Sequence, residues 1–301
     1  MDMNASMKAS RSLSSLDGQT VSSTLSKRLE KYGLDIAAPL QLSLYNSDVA
    51  ARNAQKDDAS QVTVQPLCAP GMSRPDVDGC NLTVLIGNSR RIWSPFLASL
   101  RKGGSHTSSN DDVVIDIEKE SRPLDTYVMR CVEKALEETK ASCDVINDAG
   151  NDKSSSSTHT PLKWRCYWSH VVEDGETVAI QRMGEIADVA ELCPTTHLSL
   201  HPQYGPWMAW RAAVVFNVQF QVQRTEHDLG NVERCHYSRG LATDVKQQME
   251  TAIANASDWT RWLAVREALA PDHSYRYSEM QIKYHYTKDK TILLRAIESR
   301  C

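Results

Sequence analysis

Hydrophobic positions along the chain change their spacing several times, and each change marks an element. From Ser22 to Lys31 the apolar residues follow a helical period, with Ser22 or Ser23 placed to cap the helix and Gly33 to stop it. Asp35–Tyr45 alternates instead, with Leu40, Leu42 and Leu44 set among polar neighbours, and predicts a half-buried strand. Residues 46–79 hold many Asp, Ala, Gln and Pro without a period and predict a long surface excursion. Leu82–Gly87 is a short apolar strand, followed by a helix that opens at Ser89 or Arg90 and ends near Gly103. In Leu124–Thr139, Val128, Cys131, Val132, Ala135 and Leu136 share one helical face. Leu162–Val172 is aromatic and β-branched, hence a strand. Glu176–Cys193 predicts an amphipathic helix whose apolar stripe is Ala179, Met183, Ile186, Ala190 and Cys193, with Gln181, Glu185 and Asp188 on another face. His197–Leu200 and Trp207–Val218 are two strands joined by the turn HPQYGP, and residues 241–299 are mostly helical with a break at Pro271.

Strands interleaved with helices and closing on helices define an α+β fold, mainly an antiparallel sheet with flanking helices. The first 20 residues, Ser-rich and without apolar period, are expected to form a disordered tail. Residues 21–299 then make one domain with polar insertions near 103–112 and 148–160. A chain of 301 residues is long enough to bury a full core.

Charge and cysteine usage narrow the function. The 34 basic residues against 38 acidic ones, net −4, argue against a nucleic-acid partner. The longest apolar run, Ala212–Phe216, is strand-sized, so no membrane span is expected. Eight cysteines without a C-x-x-C pair or a preceding secretory segment predict free thiols in a reducing cytoplasm. His197 and His201 stand four apart, but Pro202 and Gly205 place them at a turn, and no metal-ligand spacing is present. The G-x-S-x-G, P-loop and G-x-G-x-x-G patterns are also missing. Spacing alone assigns no catalytic residue. Trp207, Trp210, Trp259, Tyr275, Tyr277 and Tyr286 crowd the last third among Arg211, Arg266 and Arg276. They form either core and rim, or a broad ligand slot with apolar walls and a few anchoring cations.

Two segments carry a family resemblance. HPQYGPWMAWRAAVVF (201–216) and REALAPDHSYRYSEMQIKYHYTK (266–288) resemble the cobalamin trafficking and processing proteins of the cblC type, the MMACHC family. That family shows a His-Pro-x-Phe/Tyr-Gly-Gly-Trp-Phe-Ala-Ile-Arg-Gly-Val-Val strand, and downstream an Arg-Asp-Ala-Val-x-Pro stretch followed by Arg-Tyr-Ser-Glu-x-Gln. LEKYGLDIAAPLQLSLYN (29–46) is similar to its opening helix and strand, and 82–97 and 122–136 follow more loosely. The resemblance spans about 20–299.

It implies a flavin-reductase, nitroreductase-like fold opened to hold a corrin, and a protein that binds cobalamin base-off and removes its upper axial ligand. Two reactions follow from it: reductive decyanation with reduced FMN or FAD, and glutathione-dependent dealkylation. It assigns Val178, Ala179, Ile180, Gln181, Ser199 and Trp210 to cobalamin, and Arg211, Arg266 and Lys290 to glutathione, whose carboxylates suit guanidinium forks. Cobalt is carried by the corrin, with no metal held by protein side chains. It further implies a monomer or ligand-induced homodimer that hands cobalamin to a downstream trafficking partner. Pro206 stands where the family has its second Gly, Trp210 where it has Ile, and Glu185 where it has His. These departures bear on corrin affinity and on the choice of upper ligand. A corrinoid carrier without turnover, or a flavin-dependent reductase without corrin, are the alternatives.

Overall fold

The computed structural model describes residues 17–54, 64–73, 75, 79–101, 113–150, 160–171, 177–221 and 243–299. The tail over 1–16, the insertion at 103–112 and residues 151–159 lie outside them. In chain order, α1 (Gly18–Glu30), β1 (Ile36–Gln41) and α2 (Leu42–Ala54) precede β2 (Asn81–Asn88). A 3-10 turn at Arg90–Ile92 leads into α3 (Trp93–Ser99), the short pair β3 (Leu100–Arg101) and β4 (Ile115–Asp116), and the long α4 (Pro123–Gly150). Then come β5 (Trp164–Trp168), α5 (Ile180–Ile186), β6 (Glu191–Leu192), β7 (Ser199–Leu200) and β8 (Ala209–Gln219). Helices α6 (Thr243–Ala254), α7 (Trp259–Leu269), α8 (Glu279–Thr287) and α9 (Lys290–Glu298) follow.

The main sheet has the order β1-β2-β8-β5 and is antiparallel throughout. Pro39 sits on the edge strand β1, where a missing backbone donor costs least. One face of the sheet offers Leu82, Val84, Ile86, Ala212, Val214 and Phe216 to α1, α3, α4 and α9. The other offers Ile36, Ala38, Leu40, Leu85, Ala213 and Val215 to α2 and α5. Both faces are covered, so β2 is buried at every position. A smaller cluster joins β6 and β7 to α6 and α7.

The β2–β8 ladder shifts register twice, between Asn81 and Thr83 and between Ile86 and Gly87, and the second shift positions the site. Ile86 pairs with Ala212 but Gly87 pairs with Trp210, so Arg211 is the extra residue of a β-bulge. Ser169 takes both carbonyls of that bulge: its N–H donates to Arg211 O at 2.9 Å and its hydroxyl to Trp210 O at 3.1 Å. The bulge turns Trp210 onto the face of Ala213 and Val215, although even numbering would set it with Ala212 and Val214.

Several elements depart from the sequence expectations. Helix α1 starts at Gly18, not Ser22, because Asp17 accepts from Thr20 N–H at 2.9 Å and supplies the cap; residues 17–20 belong to the fold. The alternation expected to run to Tyr45 stops at Gln41. Leu42, Tyr45 and Val49 are buried at helical spacing, so α2 follows β1 directly, and part of the expected excursion is helix. Helix α4 continues to Gly150, past the expected end, with Thr139 and Cys143 still buried. The expected 176–193 helix closes at Ile186, because Asp188 adopts φ 59° and the chain turns into β6.

The two ends of α1 separate cap from core. Asp17→Ala should cost about 1 kcal/mol, the loss of one N-cap, whereas Leu25→Ala, at a fully buried position, should cost about 2–5 kcal/mol. Chemical denaturation of the two variants would measure this; equal losses would contradict the arrangement.

Candidate functional site

A cleft of about 600 Å³ opens between α5, β7 and the start of β8. Its approach is built by α2. The Tyr45 hydroxyl accepts from Ala179 N–H at 3.1 Å and donates to Gln65 O at 3.0 Å, pinning the segment that leads into α5. Asn46 holds Leu67 through both its amide donor and its acceptor, each at 2.9 Å. The walls are mostly apolar, with Ile180, Leu198, Met208 and Trp210 among them. Polar groups are fewer: Ser169, Thr177, Ser199, Gln181 and three guanidinium side chains, Arg52, Arg182 and Arg266. Apolar walls with sparse polar groups are the usual make-up of a small-molecule site.

Arg52 and Arg182 converge on Asp48, at 2.8 and 3.1 Å. Burial pushes the Asp48 carboxyl up, but the hydrogen bonds from Arg182 and Arg52 outweigh it and hold the group below its ordinary value. Arg182 also pairs with Glu185. Gln181 donates from Nε2 to His197 O at 2.9 Å at the exposed side.

Across the bulge a second group assembles. Arg211 donates from Nε to Asn88 Oδ1 at 2.6 Å and makes no ion pair among the described residues. Neither does Arg266, 9% exposed, whose guanidinium donates to Pro206 O at 3.1 Å and lies 5.9 Å from the Tyr286 ring centroid. The nearby carboxylates of Glu267 and Glu279 both pair with Arg276, at 2.7 Å. Trp207, Tyr277, His285 and Tyr286 fill the space around these cations in edge-to-face contacts. Trp207 Nε1 and the Tyr286 hydroxyl are buried without a hydrogen-bond partner among the described residues. Burial, with Arg266, Lys288 and Arg211 nearby, drives the His285 imidazole well below its ordinary value, so it is neutral. Cations without an ion pair beside unused donors make this region electropositive, with Asp125 acting on Arg211 and Lys288 from a distance.

Seven of the nine residues singled out in the sequence line the one cleft: Val178, Ala179, Ile180, Gln181, Ser199, Trp210 and Arg266. Arg211, adjacent to Trp210 in sequence, is turned away from it by the bulge. Lys290 opens α9 and is not among the lining residues; the lysine electrostatically coupled to Arg211 and Arg266 is Lys288. Lys288, His285 and Arg182 were missed. Lys288 ends the segment carrying the resemblance, and Arg182 follows Gln181 directly, so both lay within reach of a residue-by-residue reading. Among the described residues no three His, Cys, Asp or Glu side chains converge as metal ligands, and no helix is long and apolar enough to cross a membrane.

No family model matches the sequence, and no curated protein matches it. Among solved structures, the B12-trafficking protein CblC of C. elegans, a human MMACHC homologue, superposes with a TM-score of 0.55 at 15% identity, covering 93% of this chain and 96% of that one. A selenomethionine-labelled epoxyqueuosine reductase matches at a TM-score of 0.35 and 12% identity, over 76% of this chain and 58% of that chain. The class defined is an α+β protein built on an antiparallel sheet. Within that class, the chain has the fold of CblC.

The turn beside the cleft carries a pH signature. His201 Nδ1 accepts from the backbone N–H groups of Gln203 and Tyr204, at 3.1 and 3.4 Å, and its ring stacks on Tyr204. Burial pushes the imidazole down to about 4, with Asp35 pulling weakly the other way. The unfolded chain takes up this proton near pH 6.5 and the folded chain only near 4. The stability is therefore complete above about 6.5 and declines as pH falls toward 4. With screening of a partly exposed ring, the change should be about 1–2 kcal/mol. Melting curves between pH 7 and 4.5 should fall less steeply for His201→Asn than for the parent; parallel curves would contradict the assignment.

Proposed function

We propose that this chain is a cobalamin-processing protein that holds the corrinoid base-off in the cleft and removes its upper axial ligand. The observation that supports it most is the two-way coverage of the CblC fold, 93% and 96%, together with a cleft formed by the segments that carry the family resemblance. A corrin ring has apolar faces and a periphery of neutral amides. Met208, Leu198 and Trp210 suit the faces, and Ser199, Gln181 and Ser169 suit the amides. Arg52 and Arg182, their charge largely answered by Asp48 and Glu185, keep further N–H donors for the phosphate of the nucleotide tail. The fold goes with the nitroreductase-like class, and the cytoplasm, a downstream trafficking partner and a ligand-induced homodimer belong to the same reading.

For decyanation, a reduced flavin, FMN or FAD, supplies the electron that takes Co(III) to Co(II) as cyanide leaves; no residue is assigned to the flavin. The chain contributes orientation and the base-off state, which removes a donor that stabilises Co(III). For dealkylation, the glutathione thiolate attacks the alkyl carbon, the carbon–cobalt bond breaks with its electron pair left on cobalt as Co(I), and a thioether departs. Arg211, Arg266 and Lys288 suit the two glutathione carboxylates, because none of the three makes an ion pair among the described residues and Asp125 acts on Arg211 and Lys288 only from a distance. Arg266 touches both the cleft and the aromatic group, so it joins the two ligands. A carrier without turnover is the second reading, favoured by Glu185, which pairs with Arg182 where the family has a His.

Hydroxocobalamin and cyanocobalamin added to the protein should give the base-off visible spectrum, and reduced flavin should then convert the cyano form; no spectral change with either would overturn the reading. Arg211→Lys keeps the charge but loses the planar fork. It should lower glutathione-dependent loss of methyl from methylcobalamin by roughly tenfold or more, with the base-off spectrum retained. Normal dealkylation at limiting glutathione would remove Arg211 from the site, and binding without any turnover would select the carrier.

A further inference from the structure

One wall of the cleft is a side chain locked in place. The Trp210 indole lies between α5 and the sheet, 7% exposed, with its remaining edge on the cleft. Two glycines make room for it. A Cβ on Gly184 would stand 2.5 Å from Cζ2 and 3.0 Å from Cε2; one on Gly87 would stand 2.9 Å from Cε3 and 3.2 Å from Cζ3. Contacts below 3.0 Å are incompatible with a side chain, so the ring occupies space that both backbones have been stripped to provide. Its Nε1–H donates to the buried Ser199 hydroxyl at 2.9 Å, and the Trp210 carbonyl is held by Ser169 at 3.1 Å. Ring, nitrogen and backbone are each fixed from a different element, and the indole cannot swing aside without breaking that buried hydrogen bond.

We infer that Trp210 is the specificity-determining residue of the cleft: a rigid stop that admits cobalamins with a small axial group and excludes those with a bulky one. The inference rests on the cobalamin reading above. The physical argument is volume. Any shorter side chain between Gly87 and Gly184 would leave the indole's space to the ligand, whereas a seated indole yields only at the cost of repacking α5 against β8. An axial group directed at the Trp210 ring therefore meets a wall that does not yield, and its size decides binding.

The test is a ratio of affinities, which a general loss of stability leaves unmoved. Full-length protein and Trp210→Ile are titrated with hydroxocobalamin and with adenosylcobalamin, and binding is read from the visible spectrum. The parent should prefer hydroxocobalamin by about tenfold or more, and Trp210→Ile should bring the two affinities to within about threefold while still binding hydroxocobalamin. An unchanged ratio in Trp210→Ile, or a parent that binds both equally, overturns the inference and leaves the cobalamin reading standing. Failure of the parent to bind hydroxocobalamin at all overturns the reading itself, and the inference with it. If Trp210→Ile does not fold, Trp210→Phe and Ser199→Ala take its place. The first shortens the ring and the second frees it, and each should lower the ratio; no change in either overturns the inference.

Discussion

One extra residue in β8 organises the site. In a regular ladder, Trp210 would face the helices α1 and α4, and Arg211 would face α5. The bulge opposite Gly87 exchanges them. The indole reaches the cleft and the guanidinium reaches the aromatic cluster of the C-terminal helices. A bulge leaves backbone groups without ladder partners, and here Ser169 answers for two of them. The central strand thereby serves two sites, one on each face, from adjacent positions.

The second constraint is electrostatic. A buried or half-buried guanidinium without a carboxylate is costly, and buried indole and phenol donors without acceptors add to the cost. The fold does contain carboxylates near enough in sequence to help, Glu267 and Glu279, but Arg276 holds both. Arg211, Arg266 and Lys288 make no ion pair among the described residues, and Asp125 acts on Arg211 and Lys288 only from a distance. Cations placed in this way are costly, and a bound anion would lower that cost. Arg266 couples this cationic group to the cleft, since it lines one and stands over the aromatic ring of the other.

The rim of the cleft is arranged differently. Arg52 and Arg182 share Asp48, and Arg182 also engages Glu185, so their charge is largely answered within the chain. They orient polar groups without demanding a ligand. The walls are held from behind by Tyr45 and Asn46, which bind backbone rather than side chains and so keep the entrance to α5 in place whatever occupies the cleft.

Much of this was legible in the amino-acid order. The strands β2, β5 and β8 and the helices α1 and α4 follow from hydrophobic spacing, because a residue's distance along the chain sets its face as long as the element stays regular, and 241–299 reads as mostly helical without its separate helices being resolved. The antiparallel α+β class follows from the order of those elements, and seven of the nine residues drawn from the family resemblance line one cleft. Tertiary structure decided the rest. The strand–helix switch at Leu42 was invisible because Leu40, Leu42 and Leu44 suit an alternating period as well as Leu42, Tyr45 and Val49 suit a helical one, and burial against the sheet chose the second. Asp188 closed α5 early through a left-handed backbone that no periodicity records. The faces of Trp210 and Arg211 were beyond any local pattern, since a bulge is a relation between two strands: β8 carries the extra residue, but its position is set by where Gly87 and Ser169 stand across from it.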